Sequence, residues 1–453
     1  MRAEPSDGLP LPRRYWAIAT VALAIIMSVL DGAIANVALP TIARDLQATP
    51  AASIWVVNAY QLTITIALLP LASLGDILEY RRVYYVGLAV FTLASLACSL
   101  SDSLLTLTLA RILQGFGAAG IMSVNTALLR FIYPARQIGR GIGINAVVVA
   151  CSAALGPTVA AGILAVAPWQ WLFAVNVPVG IAALVAARAL PRTRRAQHRF
   201  DYWSALLNAV TFGTLIVAID GAGHGERWGD VAVEFGAAIL FGALLVYRQL
   251  SQAWPLLPVD LLRIPLFALS IGTSVASFVA QMLAYVSLPF LLQDQLGQSQ
   301  VETGLLMTPW PLTTAVIAPI AGRLADRYSA GMLGSIGLAV FAAGLALLAL
   351  LPTHPGAVDI AWRMVVCGFG FGLFQSPNNR AIITSAPRER SGGASGMLGT
   401  ARLLGQTTGA AFVALLFSLF PQDGTIVALA LGAGFAILAA AVSSLRIFAG
   451  KPL

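Results

Sequence analysis

The chain has 453 residues, 58% of them hydrophobic and only 10% charged, with a formal net charge of +8. No soluble domain of this size carries such a composition, and the arginines stand singly and in pairs between apolar runs instead of forming one basic face, which excludes a nucleic-acid partner. About 20 apolar residues cross a bilayer core of about 30 Å, so the many apolar stretches read as an all-α polytopic membrane protein.

The first apolar run predicts a span at 15–37. From Tyr15 to Leu39 it is too long for a signal-peptide core and lacks a convincing cleavage site, so it reads as a retained helix. Asp31 stands within it, in Leu30-Asp31-Gly32-Ala33-Ile34-Ala35-Asn36-Val37-Ala38-Leu39-Pro40, and is the one acid of 19 placed well inside a span. An unpaired carboxylate in hydrocarbon is costly, and it is retained where it binds a cation, exchanges a proton or pairs with a buried base. A purely structural reading, in which Asp31 caps or hydrogen-bonds at a packed helix interface, stands beside the functional one.

Further spans are expected at 52–74, opening on Trp55-Val56-Val57-Asn58-Ala59-Tyr60, then at 83–101 and 103–125. The last of these carries Ala110-Arg111-Ile112-Leu113-Gln114-Gly115-Phe116-Gly117-Ala118-Ala119. A span at 141–165 holds Gly143, Ser152, Gly156-Pro157, Ala160 and Ala161. Small residues allow close helix approach, and Pro157 removes a backbone donor. Spans at 171–190, 202–222, 231–250, 266–292, 304–322, 332–351, 360–380, 396–420 and 424–446 bring the number to fourteen.

An even number of spans places both termini on one side. With the N-terminus in the cytoplasm, the 27 basic residues are cytoplasmic except Arg44 and Arg227 and three in or at spans, Arg111, Arg363 and Arg402. The clusters Arg81/Arg82, Arg130/Arg136/Arg140, Arg192/Arg194/Arg195/Arg199 and Arg388/Arg390 carry this positive-inside bias. Arg402 reads as a side chain snorkelling inward, and Asp220 as an interfacial acid.

The chain repeats itself. Gly75-Asp76 followed by Arg81-Arg82 has a counterpart in Gly322-Arg323-Leu324-Ala325-Asp326-Arg327, and Arg111 with Gly115 and Gly117 is echoed by Arg363 with Gly368 and Gly370. Two six-helix bundles, 1–190 and 266–453, with an inserted pair of spans and their linkers at 191–265, account for both offsets. Such repeats build transporters that rock about a central site.

On these motifs the sequence resembles the major facilitator superfamily, and within it the fourteen-span drug/proton antiporter branch of the EmrB/QacA type, over essentially its whole length. The resemblance implies the major facilitator fold and a proton-coupled antiporter that exports lipophilic, monocationic or neutral drugs or toxic compounds by alternating access. It places the chain in the bacterial inner membrane with both termini cytoplasmic. Asp31 and Arg111 are the implied proton-coupling residues. Asp76, Arg82, Gly156, Pro157, Asp326 and Arg327 fall in its conformational motifs, and the span 5 motif marks exporters. Ile77 and Glu79 stand where the family usually has arginine and glycine, which alters the latch between halves. Asn58 stands where some dication exporters have aspartate, and span 13 has no acid, which argues against a divalent cation.

At 1.5 Å of rise per residue, Asp31 and Arg111 both lie roughly 12 Å below the outer surface, with Asn58 within about one turn of them. An acid, a base and an amide thus share a layer, where a cationic or polar substrate could compete with the proton at Asp31. Asn36, Gln114, Gln281 and Asn378 are polar candidates for the substrate site. Trp55, Tyr60, Phe278, Tyr285, Trp310, Phe371 and Phe374 lie on spans that line the family's central cavity, and aromatic faces suit flat organic molecules.

Other chemistries find no support. Cys98, Cys151 and Cys367 lie in apolar segments at unrelated spacings and read as packing residues, and His198, His224 and His354 are isolated in loops, so neither metal nor cofactor is expected. Gly115-x-Gly117-x-x-Gly120 matches the dinucleotide fingerprint but has no preceding strand, so helix packing explains it. There is no phosphate-binding Gly-x-x-x-x-Gly-Lys-Ser/Thr loop, and the single lysine is Lys451, which excludes an ATP-driven pump or another enzyme. Expected partners are protons, small lipophilic substrates and the bilayer around a monomer. A periplasmic adaptor and an outer-membrane channel are compatible with the branch, and the chain encodes neither. An uptake symporter or facilitator for a small metabolite is the main alternative, and a membrane receptor or assembly subunit a third.

Overall fold

The computed structural model describes residues 8–134, 137–193, 200–223, 228–252, 255–352, 354–387 and 390–449. Arg136, Arg194, Arg195, Arg199, Arg227, Arg388, His198, His224 and Lys451 lie outside them, as do the surroundings of Arg140, Gly143 and Asp220.

Every regular element among the described residues is helical. The fourteen long helices are α1 (Leu11–Asp45), α2 (Trp55–Leu78), α3 (Tyr80–Ser99), α4 (Leu104–Ile132), α5 (Ile138–Leu164), α6 (Trp171–Ala189), α7 (Tyr202–Gly223), α8 (Trp228–Ser251), α9 (Pro265–Phe290), α10 (Gln300–Leu324), α11 (Ala330–Ala349), α12 (Ala357–Ser385), α13 (Ser391–Leu419) and α14 (Gly424–Ala449). Several run past their expected ends. Helix α1 continues through Pro40, which is buried, because packing against its neighbouring helices outweighs the one backbone bond that proline removes. Helix α4 begins at a capping box between Ser103 and Thr106. The expected continuous span at 171–190 is broken at Val175, and α10 is interrupted at Thr308 just before Pro309.

The packing repeats. Helix α3 lies against α4 and α6, α2 against α4, and α1 against α5 and α6; advancing each label by eight gives α11 on α12 and α14, α10 on α12, and α9 on α13 and α14. Glycines set the crossings in both sets. A Cβ built on Gly117 would lie 2.4 Å from the backbone nitrogen of Phe91, and one on Gly370 would lie 2.4 Å from that of Phe341. One on Gly115 would meet the Tyr60 carbonyl at 2.9 Å, and one on Gly368 would meet that of Trp310 at 2.2 Å. The dinucleotide-like glycines are therefore contact points between helices, as the lack of a preceding strand suggested.

The two sets of six meet along α5–α10 and α2–α13, seams that the same offset relates to each other. Helices α7 and α8 pair with each other, and α7 leans on α13 and α2. Asp201 staples this pair: it accepts from the Ser204 amide at 3.1 Å and from Arg248 at 2.8 Å. Burial opposes its charge, but these bonds outweigh that effect and hold its carboxyl below the usual range.

Hydrogen bonds between the two sets cluster at the end opposite the termini. There Gln293 donates to the Val37 carbonyl at 2.9 Å, and Thr158 bonds Thr308 at 2.7 Å. Gly304 lies flat on α5, where a Cβ would sit 2.5 Å from the Pro157 carbonyl. Gly304→Val is expected to hold this end apart. Interspin distances between labels at the α5 and α10 ends should lengthen relative to wild type, and an unchanged distribution would count against a seal built on this contact.

Candidate functional site

Asp31 and Arg111 form an ion pair inside the first six helices, 2% and 0% exposed. Three donors converge on the carboxylate: Arg111 Nη1, Gln114 Nε2 at 2.9 Å and Asn176 Nδ2 at 2.8 Å. Arg111 also donates to Gln114 Oε1 at 2.6 Å and, through Nε, to the Val56 carbonyl at 3.0 Å, while Gln114 reaches Ser95 Oγ at 2.9 Å. The guanidinium carbon lies 4.1 Å from the Tyr60 ring centroid, a cation–π contact, and the Tyr60 hydroxyl donates to the Ser28 carbonyl. One carboxylate thus ties α1 to α4 and α6, and its partners extend the tie to α2 and α3.

The depth arithmetic placed Asp31 beside Arg111, and the two touch. It placed Asn58 in the same layer, but Asn58 is fully buried and neither polar atom of its side chain has a hydrogen-bond partner. The amides that serve the carboxylate are Gln114 and Asn176. The sequence reading missed Asn176; the signal was an amide before Pro178 in an otherwise apolar span. Ser95 was missed because a serine in a helix ordinarily bonds its own backbone.

Most residues nominated for direct substrate contact are packed against neighbouring helices in this structure. Trp310, 1% exposed, packs between Tyr285 and Phe341, and Phe374 packs on Phe371, which also meets Phe278. These rings fill the space between helices of the second set because aromatic pairs bury the most area there. Tyr60 lies under Arg111, Trp55 packs on Ile216, Ile219 and Ala411, and Asn36 donates to the Gly32 carbonyl at 3.2 Å. Asn378 is fully buried and bonds Ser274 at 2.7 Å and Arg446 at 2.5 Å. Arg446 also reaches Ser270 at 3.1 Å and is dressed entirely by neutral acceptors. The sequence reading counted it among the cytoplasmic basic residues. Gln281 and Tyr285 remain partly accessible.

The motif residues behave differently from one another. Asp76 accepts from the Tyr80 hydroxyl, and Asp326 pairs with Arg380 while Arg327 is exposed. Arg82 approaches Glu79 at 3.7 Å. Glu79 has φ of +104°, a region L residues rarely adopt, which is why glycine suits that position. Gly156 fits against Ala33 of α1, where a Cβ would lie 2.4 Å from that methyl group. Arg363, the echo of Arg111, pairs with Asp359 on its own helix. No group of side chains suited to a metal occurs among the described residues.

Comparison with known proteins gives a consistent result. A model of the Major Facilitator Superfamily matches residues 21–410 and 269–452. The uncharacterized transporter YebQ of Escherichia coli (strain K12) is 62% identical over 445 residues, 98% of this chain and 97% of its own. The riboflavin transporter RibZ of Clostridioides difficile (strain 630) is 30% identical, covering 90% of this chain and 89% of its own. The multidrug resistance protein Stp of Mycobacterium tuberculosis (strain CDC 1551 / Oshkosh) is 32% identical over 85% of this chain and 73% of its own. Among solved structures, a bacterial homologue of the human lysosomal transporter Spinster, inward-facing and unoccupied, aligns with a TM-score of 0.70 at 16% identity, covering 97% of this chain and 98% of that one. That likeness concerns the fold alone.

Proposed function

The chain belongs to the major facilitator superfamily, and from that premise we propose that it exports small lipophilic molecules by alternating access in exchange for protons, with Asp31 as the carboxylate that takes up and releases the proton. It is a multi-pass membrane transporter. The finer reading is the fourteen-span antiporter branch, with the termini in the cytoplasm of a bacterium and the end where Gln293 bonds Val37 facing outward.

The observation that supports coupling at Asp31 is the convergence of Arg111, Gln114 and Asn176 on one buried carboxylate. Protonation removes the charge that Arg111 pairs with and turns one carboxylate oxygen into a donor, so the charge-assisted bonds of the three donors weaken. Helix α1 is then released from α4 or α6, and the bundle shifts. This differs from direct competition between proton and substrate, because a carboxylate 2% exposed and so surrounded is not reachable by cargo. The case for a monocationic cargo, which relied on such contact, loses its support; a lipophilic cargo remains. The names of related proteins, multidrug resistance protein Stp and multidrug efflux pump LfrA among them, favour export.

Uptake or facilitation of a defined metabolite is the second reading, favoured by the 30% identity to the riboflavin transporter RibZ. Everted vesicles separate the two readings: under export, a transported compound dissipates an established proton gradient. Asp31→Asn is expected to abolish that response while the protein still inserts and binds cargo. An Asp31→Asn protein that exchanges protons as wild type does would leave Asp31 as a structural clamp only.

A further inference from the structure

We propose that Arg402 is the recognition point for an acidic group on the transported molecule, so that the cargo is a lipophilic organic acid with one carboxylate. The proposal rests on the transport reading above but not on the direction of transport or on proton coupling.

The contacts of α13 assign its faces. Gly405 and Gly409 lie on α9, where built Cβ atoms would meet the Val275 and Val279 carbonyls at 2.6 and 2.7 Å. Thr407 bonds Thr65 of α2 at 3.1 Å, and Gly399 faces Leu68 of the same helix. Ala411 packs on α7. With 3.6 residues per turn, Arg402 and Gln406 fall between the α9 and α2 faces and away from α7. That stripe looks into the space between the two bundles. Arg402 stands five residues before Thr407, about 7.5 Å closer to the end that bears the termini.

Arg402 is partly buried and has no hydrogen-bond or ion-pair partner among the described residues, and its nitrogens are not among the sealed, unpartnered atoms. Gln406, one turn further, and Gln281 on α9 are likewise partly buried and unpartnered. The other two deep arginines contrast with this: Arg111 has its carboxylate, and Arg446 is dressed by serine, asparagine and carbonyl oxygens. Among the described residues, every acidic side chain except Asp31 lies in a loop or within two turns of a helix end, and Asp31 is committed to Arg111. The side of α13 between the two bundles therefore carries a partly buried positive charge without a counter-charge among the described residues. A cation at such depth is costly unless paired, and a guanidinium forks onto a carboxylate through two parallel N–H bonds. A partner that arrives and leaves with each cycle meets both conditions.

The test uses the full-length protein in detergent and in proteoliposomes, with aromatic monocarboxylates such as 1-naphthoate, each compared with its own primary amide and a matched amine. Wild type is expected to bind carboxylates about tenfold or more tightly than the amides, as a charge-assisted bond of at least about 1.4 kcal/mol requires. Arg402→Gln should bring that ratio to about one with an unchanged melting temperature, and Arg402→Lys should restore part of it. A panel in which no carboxylate outbinds its amide, or an Arg402→Gln protein that keeps the preference, overturns the proposal. Gradient dissipation by neutral lipophiles that is lost in Asp31→Asn would, in the same vesicles, leave the transport reading standing while this one falls.

Discussion

Arg111→Leu is expected to cost about 3–5 kcal/mol of stability, because it leaves the Asp31 carboxylate buried with no counter-charge. Asp31→Leu should do comparable damage by orphaning a fully buried guanidinium. The informative variant is the double substitution. With both charges gone, a leucine pair of similar bulk fills the same space, and the double variant should be more stable than either single one. Thermal melts in detergent, read by native tryptophan fluorescence, give the comparison. A double variant whose loss equals the sum of the singles would mean that the two residues do not act as a pair. Asn176→Leu should be milder, about 1–3 kcal/mol, since it removes one donor and leaves two on the carboxylate. The design separates stability from coupling: the double variant should fold well and exchange no protons.

Gly117→Val and Gly370→Val are expected to prevent accumulation of folded protein, each for the same reason at an equivalent crossing. Both would drive a side chain into backbone at 2.4 Å, and backbone at a helix crossing cannot rotate away. Gly162→Ala and Gly272→Ala are the controls, because nothing lies within 4 Å of a Cβ at either position. They should be neutral or stabilising by up to about 1 kcal/mol through helix propensity. Monodisperse yield in detergent reads all four. Wild-type yield from either valine variant would refute glycine-set crossings.

Helix number and repeat were legible because a span is long, apolar and interrupted by charge, so each helix announces itself locally. Arg111 and Asp31 were legible for a related reason: rise per residue gives depth, and depth brings two residues of different helices to one level. Depth says nothing of azimuth. Asn58 shares the layer of Asp31 but presents its amide to neither partner, whereas Asn176 reaches the carboxylate from α6. The aromatics meet the same limit, since knowing which helix lines a cavity does not say which of its faces does.

The sequence by itself determined the membrane class, the fourteen helices, the internal repeat and the anomaly of a carboxylate in hydrocarbon, all properties of hydropathy, spacing and length along one chain. Only the tertiary structure decided what that carboxylate touches, that it is sealed within one bundle and not exposed between two, and that the partly buried Arg402 has no hydrogen-bond or ion-pair partner among the described residues. Those facts depend on the rotation of each helix about its axis, which contacts such as Gly405 on Val275 and Thr407 on Thr65 set between residues more than a hundred positions apart.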